Sequence, residues 1–148
     1  MIFELFRNDA DIRKATDFLT ENEHLLPDPL SFHVNLTDYV LKLLTFGRIF
    51  TYETDLVCGI CMGYINDFTC RTAHLQVLII RKEAQGLGFG KELVSRFLSE
   101  AKKAGMNDVV LTCDKVNTSA QMFYRMLGFV ESSQIHPNPL KIIFSHML

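Results

Sequence analysis

The chain alternates between short apolar runs and polar clusters, and the period inside each run predicts its element. "IFELFR" (2–7) alternates apolar with polar positions, the pattern of a half-buried strand. Asn8 or Asp9 can cap a helix running to about Glu21, with Ile12, Ala15, Phe18 and Leu19 on one face. Two prolines in "NEHLLPDPLS" (22–31) exclude regular helix and predict a loop or short turn. A second helix is expected from about Thr37 to Phe46, stopped by Gly47. "RIFTYE" and "LVCGICMGYIN" flank Thr54–Asp55 and predict a hairpin. "AHLQVLII" (73–80) is the next strand, followed by a helix from about Gly88 to Ala104 that ends at Gly105. Leu93, Val94, Phe97 and Ala101 form the core stripe of that helix. "DVVLTC" (108–113) reads as a buried strand, and Asn117 caps a helix to about Leu127, ended by Gly128. "FVESSQ" and "KIIFSHML" supply two last strands.

This order predicts an α/β (α+β) fold: a mixed, mostly antiparallel central sheet of about seven strands, flanked on both faces by four helices. At 148 residues the chain is expected to form one domain, residues 1–148. A formal charge of −2 gives no reason to expect nucleic acid as a partner. Between Arg81 and Lys103, however, six basic residues face three acidic ones, a local excess that suits a small anion. No run approaches twenty apolar residues and the N-terminus lacks a signal-peptide layout, so a cytoplasmic protein with no membrane partner is expected. The four cysteines are then read as reduced thiols. Cys58 and Cys61 form a C-x-x-C, but three apart on a strand they point to opposite faces, so no metal is expected there.

The stretch "RKEAQGLGFGKELV" (81–94) sets alternate glycines between a strand and a helix. It fails the phosphate loop of nucleotide hydrolases twice, since Gln85 stands where glycine is required and Glu92 where Ser or Thr is. It also fails the dinucleotide fingerprint, because Lys91 takes the third glycine position, although Asp114 ends the next strand where a ribose could meet it. Two readings stay open on spacing alone. One is a pyrophosphate held by backbone N–H groups of the loop and first helical turn. The other is a tight turn that binds nothing.

"QGLGFG" after an apolar strand, paired with "NTSAQMFYRMLGF" after the following strand, resembles the GNAT family of N-acetyltransferases. The motifs span residues 74–130. The resemblance implies a GNAT-like acyl-CoA transferase fold, with acetyl-CoA as co-substrate and no metal. It implies that the backbone of Gln85, Gly86, Leu87, Gly88, Phe89 and Gly90 cradles the pyrophosphate, with Lys91 adding charge. It further implies that the backbone of Leu78 and Ile80 pairs with the pantetheine chain, one amide polarising the thioester carbonyl. Asn117 would contact the cofactor as well as cap its helix, and Tyr124 would protonate the leaving thiolate. With an ordinary tyrosine and thiol that transfer is uphill by roughly 2 kcal/mol, and by less if the site favours the phenolate.

A base is also needed, since an ammonium has no lone pair. Family glutamates correspond to His74 and Gln76, so the chain departs from the pattern there. Gln76 cannot act as a base; His74 can, and it is expected to share a strand face with Gln76, Leu78 and Ile80. Asp67 or a water chain are alternatives. The acceptor is expected to be a small-molecule or peptide amine, bound near "NEHLLPDPLSFHVN". There Glu21, Glu23 and Asp28 would attract an ammonium, and Phe32 and His33 would pack on a ring. The expected activity is direct acetyl transfer from acetyl-CoA to a primary amine. The alternative is a noncatalytic acyl-CoA-binding or regulatory module of the same fold. A homodimer through the last strands is left open, with no motif to carry it.

Overall fold

The computed structural model describes residues 1–148. Strand β1 (Ile2–Leu5) stops two residues earlier than its alternation predicts, because the Phe6 N–H leaves the ladder and donates to the Asp11 carboxylate at 2.8 Å. Asn8 in turn accepts the Asp11 N–H at 2.8 Å and starts helix α1 (Asp9–Asn22). The connection that follows holds two single 3₁₀ turns, Glu23–Leu25 and Leu30–Phe32. Asn35 caps α2 (Leu36–Phe46), and Gly47 ends it. Then come β2 (Arg48–Glu53), β3 (Val57–Asp67), β4 (Thr72–Ile80), α3 (Phe89–Lys103), β5 (Asp108–Asp114), α4 (Thr118–Met126), β6 (Val130–Glu131) and β7 (Lys141–Met147). β6 is shorter than expected, because the Ser132 hydroxyl accepts the Gln134 N–H at 3.1 Å and turns the chain off the ladder.

The seven strands form one mixed sheet in the order β1-β2-β3-β4-β5-β7-β6, with β1 and β6 at its edges. Every neighbouring pair is antiparallel except β4 and β5, which the α3 crossover makes parallel. Helices α1 and α2 cover one face over Phe18, Leu43, Ile49, Ile60 and Met62. Helices α3 and α4 cover the other over Leu93, Phe97, Phe129 and Phe144. Four large aromatic side chains, Phe50, Phe97, Phe129 and Phe144, are fully buried in the second core. All four cysteines are free; Cys61 packs into the α3/α4 core, whereas Cys58 meets the Thr54 hydroxyl at 3.3 Å.

One irregularity in β4 shapes everything near it. Ala73 and Leu75 pack into the α3/α4 core, yet Val77 and Ile79 pack into the α1/α2 core. On a regular strand all four would share a face. The register explains the switch: Leu75 pairs with Gly63 and Val77 with Met62, so Gln76 is an extra residue, a β-bulge. The expectation that His74 shares a face with Leu78 and Ile80 is therefore corrected. His74 pairs with Tyr64 on the α1/α2 side, while Leu78 and Ile80 pack toward α3 and α4. Just before this bulge β4 also leaves its other neighbour. It pairs with β5 only through Thr72, Ala73 and His74, and beyond them the two strands part.

Candidate active site

The parting of β4 and β5 opens a cleft, and the chain lines it from several elements. Leaving β4, the backbone takes a 3₁₀ turn at Lys82–Ala84, then positive φ at Gly86 (80°) and Gly88 (87°). A side chain at either glycine would meet nothing within 4 Å, so it is backbone conformation that calls for glycine there. Gly90 is a case of space: a Cβ would lie 3.3 Å from the Phe123 ring and 3.4 Å from Ile80. Gly88 caps α3 with no side chain bonding its first turn, which leaves the leading N–H groups free at the positive end of the helix.

A cavity of about 560 Å³ lies against this turn. It is lined by Leu78, Ile80, Gln85, Gly86, Gly88, Phe89, Gly90, Lys91, Asn117 and Tyr124, which the structure brings together. Leu87 does not line it and is 65% exposed. Sequence reading passed over Ser119 and Phe123, which also line the cavity from α4. Their signal lay inside the second motif, in the two turns after Asn117. Two predicted contacts are already engaged within the chain. The Gln85 side chain donates to the Ile80 carbonyl at 3.0 Å, and Asn117 caps α4 by accepting the Ala120 N–H at 3.2 Å. Phe89 stacks on Tyr52, centroids 4.0 Å apart. Of the six basic residues between Arg81 and Lys103, Arg81, Arg96 and Lys103 are held in ion pairs. Lys91 is the one of the six that lines the cavity.

A second cavity of about 250 Å³ continues the cleft and shares Leu78, Asn117, Ala120 and Tyr124 with the first. Its other walls include Leu26, Asp28 and His33 from the α1–α2 connection, Gln76 at the bulge, and Cys113, Asp114 and Lys141 across the cleft. Asp114 and Lys141 pair at 3.2 Å. Lys141 lies far along the chain from every motif, and no sequence signal pointed to it. Tyr124 stands where the cavities meet, its ring edge-on to Phe123 and Phe129 at 5.2 and 5.6 Å. Burial pushes its phenol well above the usual tyrosine value, and the neighbouring thiols of Cys61 and Cys113 push the same way. In the ligand-free chain the phenolate is disfavoured, the opposite of the relief that would ease proton transfer to a thiolate.

His74 lies elsewhere. It lines neither cavity but an adjoining pocket that shares Gln76 and Thr112 with the second, and its Nε2 is 4.0 Å from the Asp67 carboxylate. Glu21 pairs with Arg81 at 3.4 Å, and Phe32 is 77% exposed and lines neither cavity. No group of three or more His, Cys, Asp or Glu side chains is placed to hold a metal ion. No helix is long and apolar enough to cross a membrane.

This geometry has relatives. The N-alpha-acetyltransferase MAK3 of Arabidopsis thaliana is 25% identical over 128 residues, covering 77% of this chain and 65% of that protein. Across the curated relatives it matches, the chain spans 32% to 65% of their length. An acetyltransferase of Bacillus subtilis solved in complex with CoA superposes with a TM-score of 0.72 at 20% identity, over 99% of this chain and 97% of that one. The ribosomal-protein-S18-alanine N-acetyltransferase of Escherichia coli gives 0.75 at 15% identity, over 99% and 94%. These two structures share the fold. The model of the acetyltransferase (GNAT) family matches residues 13–129, and the chain belongs to that family.

Proposed function

We propose that the protein is an acetyl-CoA-dependent N-acetyltransferase that moves acetyl directly to a primary amine of a small molecule or peptide, with Tyr124 as general acid. The observation that carries this reading is the meeting of two cavities at Tyr124, one beside free helix-α3 amides and the other beside polar side chains. Acetyl-CoA brings the activated acyl thioester. Gly86, Gly88 and the first turn of α3 offer N–H groups and a helix dipole to its pyrophosphate. The parted edge of β4 from Gln76 to Ile80 offers backbone N–H and C=O groups that β5 does not take. Tyr124 is protonated throughout the neutral range, as a proton donor must be, and burial works against the phenolate that donation leaves behind. His74, facing a different pocket, is given no step in this reading. The relatives' names favour an amine acceptor, and among amines an α-amine at a peptide N-terminus.

Thermal unfolding with and without acetyl-CoA tests the first half. At 100 times its dissociation constant a ligand adds about 2.7 kcal/mol, so the midpoint should rise by roughly 5–11 °C. NADH should leave the midpoint unchanged. Thiol release with free-N-terminus peptides and with small amines tests the second half. Binding without release from any acceptor would make the protein a noncatalytic acyl-CoA-binding module.

A further inference from the structure

The acetyl-transfer reading needs a base, and the glutamate positions of the family hold His74 and Gln76 here. The structure supplies another histidine, and in the right cavity. His33 lines the pocket that contains Tyr124, and its Nε2 lies 2.8 Å from both carboxylate oxygens of Asp28. A carboxylate only accepts, so Nε2 carries the hydrogen and donates it. In the neutral ring this fixes the lone pair on Nδ1, for which no partner is found in the chain.

The turn that carries the pair is itself anchored. Glu23 accepts the Ser31 N–H at 2.9 Å and also the Ser31 hydroxyl, tying the 3₁₀ turn Leu30–Phe32 back to the end of α1. The N–H groups of His33 and Val34 both donate to the Leu30 carbonyl at 3.0 Å, fixing the backbone next to the ring. The other titratable groups around this cavity are Cys113 and Asp114 of β5, Tyr124 of α4 and Lys141 of β7. Asp114 is occupied by Lys141 at 3.2 Å, which leaves its carboxylate a poor competitor for an acceptor proton. Burial pushes the Cys113 thiol up, so it stays protonated and takes no part as a base.

We infer that the Asp28–His33 pair is the general-base unit for the amine acceptor, with His33 Nδ1 taking the proton and Asp28 fixing the ring. This rests on the acetyl-transfer reading and completes it. His33 removes one proton from the acceptor ammonium and passes it to solvent. The freed nitrogen lone pair attacks the thioester carbonyl carbon; the C–N bond forms and the C–S bond breaks. The departing sulfur takes its proton from Tyr124, and the second proton lost by the nitrogen restores the phenol. The sum is ammonium plus thioester giving amide, thiol and one proton.

The test follows thiol release by the full chain with acetyl-CoA from pH 5.5 to 9. The acceptors are an alanine-initiated heptapeptide with a free N-terminus and spermidine. His33→Gln should lower kcat by about 10²–10³-fold, and the acid-side fall of kcat/KM should vanish with it. Because His33 is exposed, the variant should fold, and its acetyl-CoA-induced rise in unfolding midpoint should match the parent's. Asp28→Asn should lower kcat by about 10-fold with little change in acceptor KM, and Asp28→Glu should recover part of the loss. An unchanged pH profile in His33→Gln overturns the inference and leaves acetyl transfer standing. A loss found in His74→Gln instead moves the base to His74 and overturns it equally. Absence of thiol release from the parent chain with both acceptors counts against the acetyl-transfer reading and takes this inference with it.

Discussion

Between Ile80 and Gly90 the cleft is walled by backbone, and between Leu26 and His33 by side chains. The first wall presents two glycines at positive φ and the start of α3 with no side-chain cap, and its fixed atoms are N–H groups that every residue type but proline possesses. The second presents Asp28 on His33, a contact made by side chains alone, on a turn that Glu23 ties down through Ser31. A backbone wall tolerates new side chains but not a new φ; a side-chain wall tolerates the reverse. That division suits a site in which one ligand is the same for a whole family and the other differs from member to member.

Tyr124 lines both cavities, so its loss should have the largest effect. Tyr124→Phe keeps the ring and its edge-on contacts with Phe123 and Phe129. It removes only the phenolic O–H. We expect kcat for thiol release to fall by about 10²–10³-fold. The acetyl-CoA-induced rise in midpoint should be retained within a degree or two, since roughly 2–4 °C corresponds to 1 kcal/mol. Full activity in this variant would mean that the two cavities meet at a packing residue, and the acid would have to be sought elsewhere.

Next in size is a break in the backbone wall. Gly88→Ala adds a methyl group to open space, so any cost comes from forcing an L-residue to φ 87°. That costs about 1–2 kcal/mol, or roughly 2–8 °C in the midpoint. If the loop relaxes away from φ 87° instead, acetyl-CoA affinity should fall by about 5–30-fold. Gly88→Asn is the sharper probe. Asparagine tolerates the left-handed region, so it should lose clearly less than alanine despite its greater bulk. Equal losses in the two variants would show that bulk, not φ, governs this wall.

The same contrast explains what could be read from the chain alone. The backbone wall was legible because its requirement is written in residue type: alternate glycines before an amphipathic run announce both the positive φ values and the free helix start. The motif around Asn117 and Tyr124 likewise carries its own spacing. The bulge at Gln76 left no trace. Ala73, Leu75, Val77 and Ile79 alternate without a break, as though one face were buried throughout. What permits the switch lies on the neighbouring strand, where a Cβ at Gly63 would fall 2.3 Å from the His74 carbonyl and 2.7 Å from the Phe97 ring. Gly63 therefore lets β4 and α3 approach closely where the register slips. Ion pairs such as Asp114 with Lys141 were illegible for a related reason. They join residues that only the order β5-β7 brings side by side.

The smallest effect should come from loosening the side-chain wall without touching its chemistry. Ser31→Ala deletes the hydroxyl that meets Glu23 but keeps the backbone N–H that donates to the same carboxylate at 2.9 Å. One exposed hydrogen bond is worth about 0.5–1.5 kcal/mol at most, so the midpoint should fall by no more than roughly 1–6 °C. Acetyl-CoA affinity should not move, because nothing in the backbone wall has changed. A peptide amine acceptor should bind a few-fold less tightly if the turn at Leu30–Phe32 needs this anchor to hold its shape. A KM for the acceptor that rises while kcat and acetyl-CoA binding stay fixed would assign the connection to acceptor binding alone. If acetyl-CoA affinity fell as well, the two walls would be coupled through the cleft, and the division between them would be one of composition only.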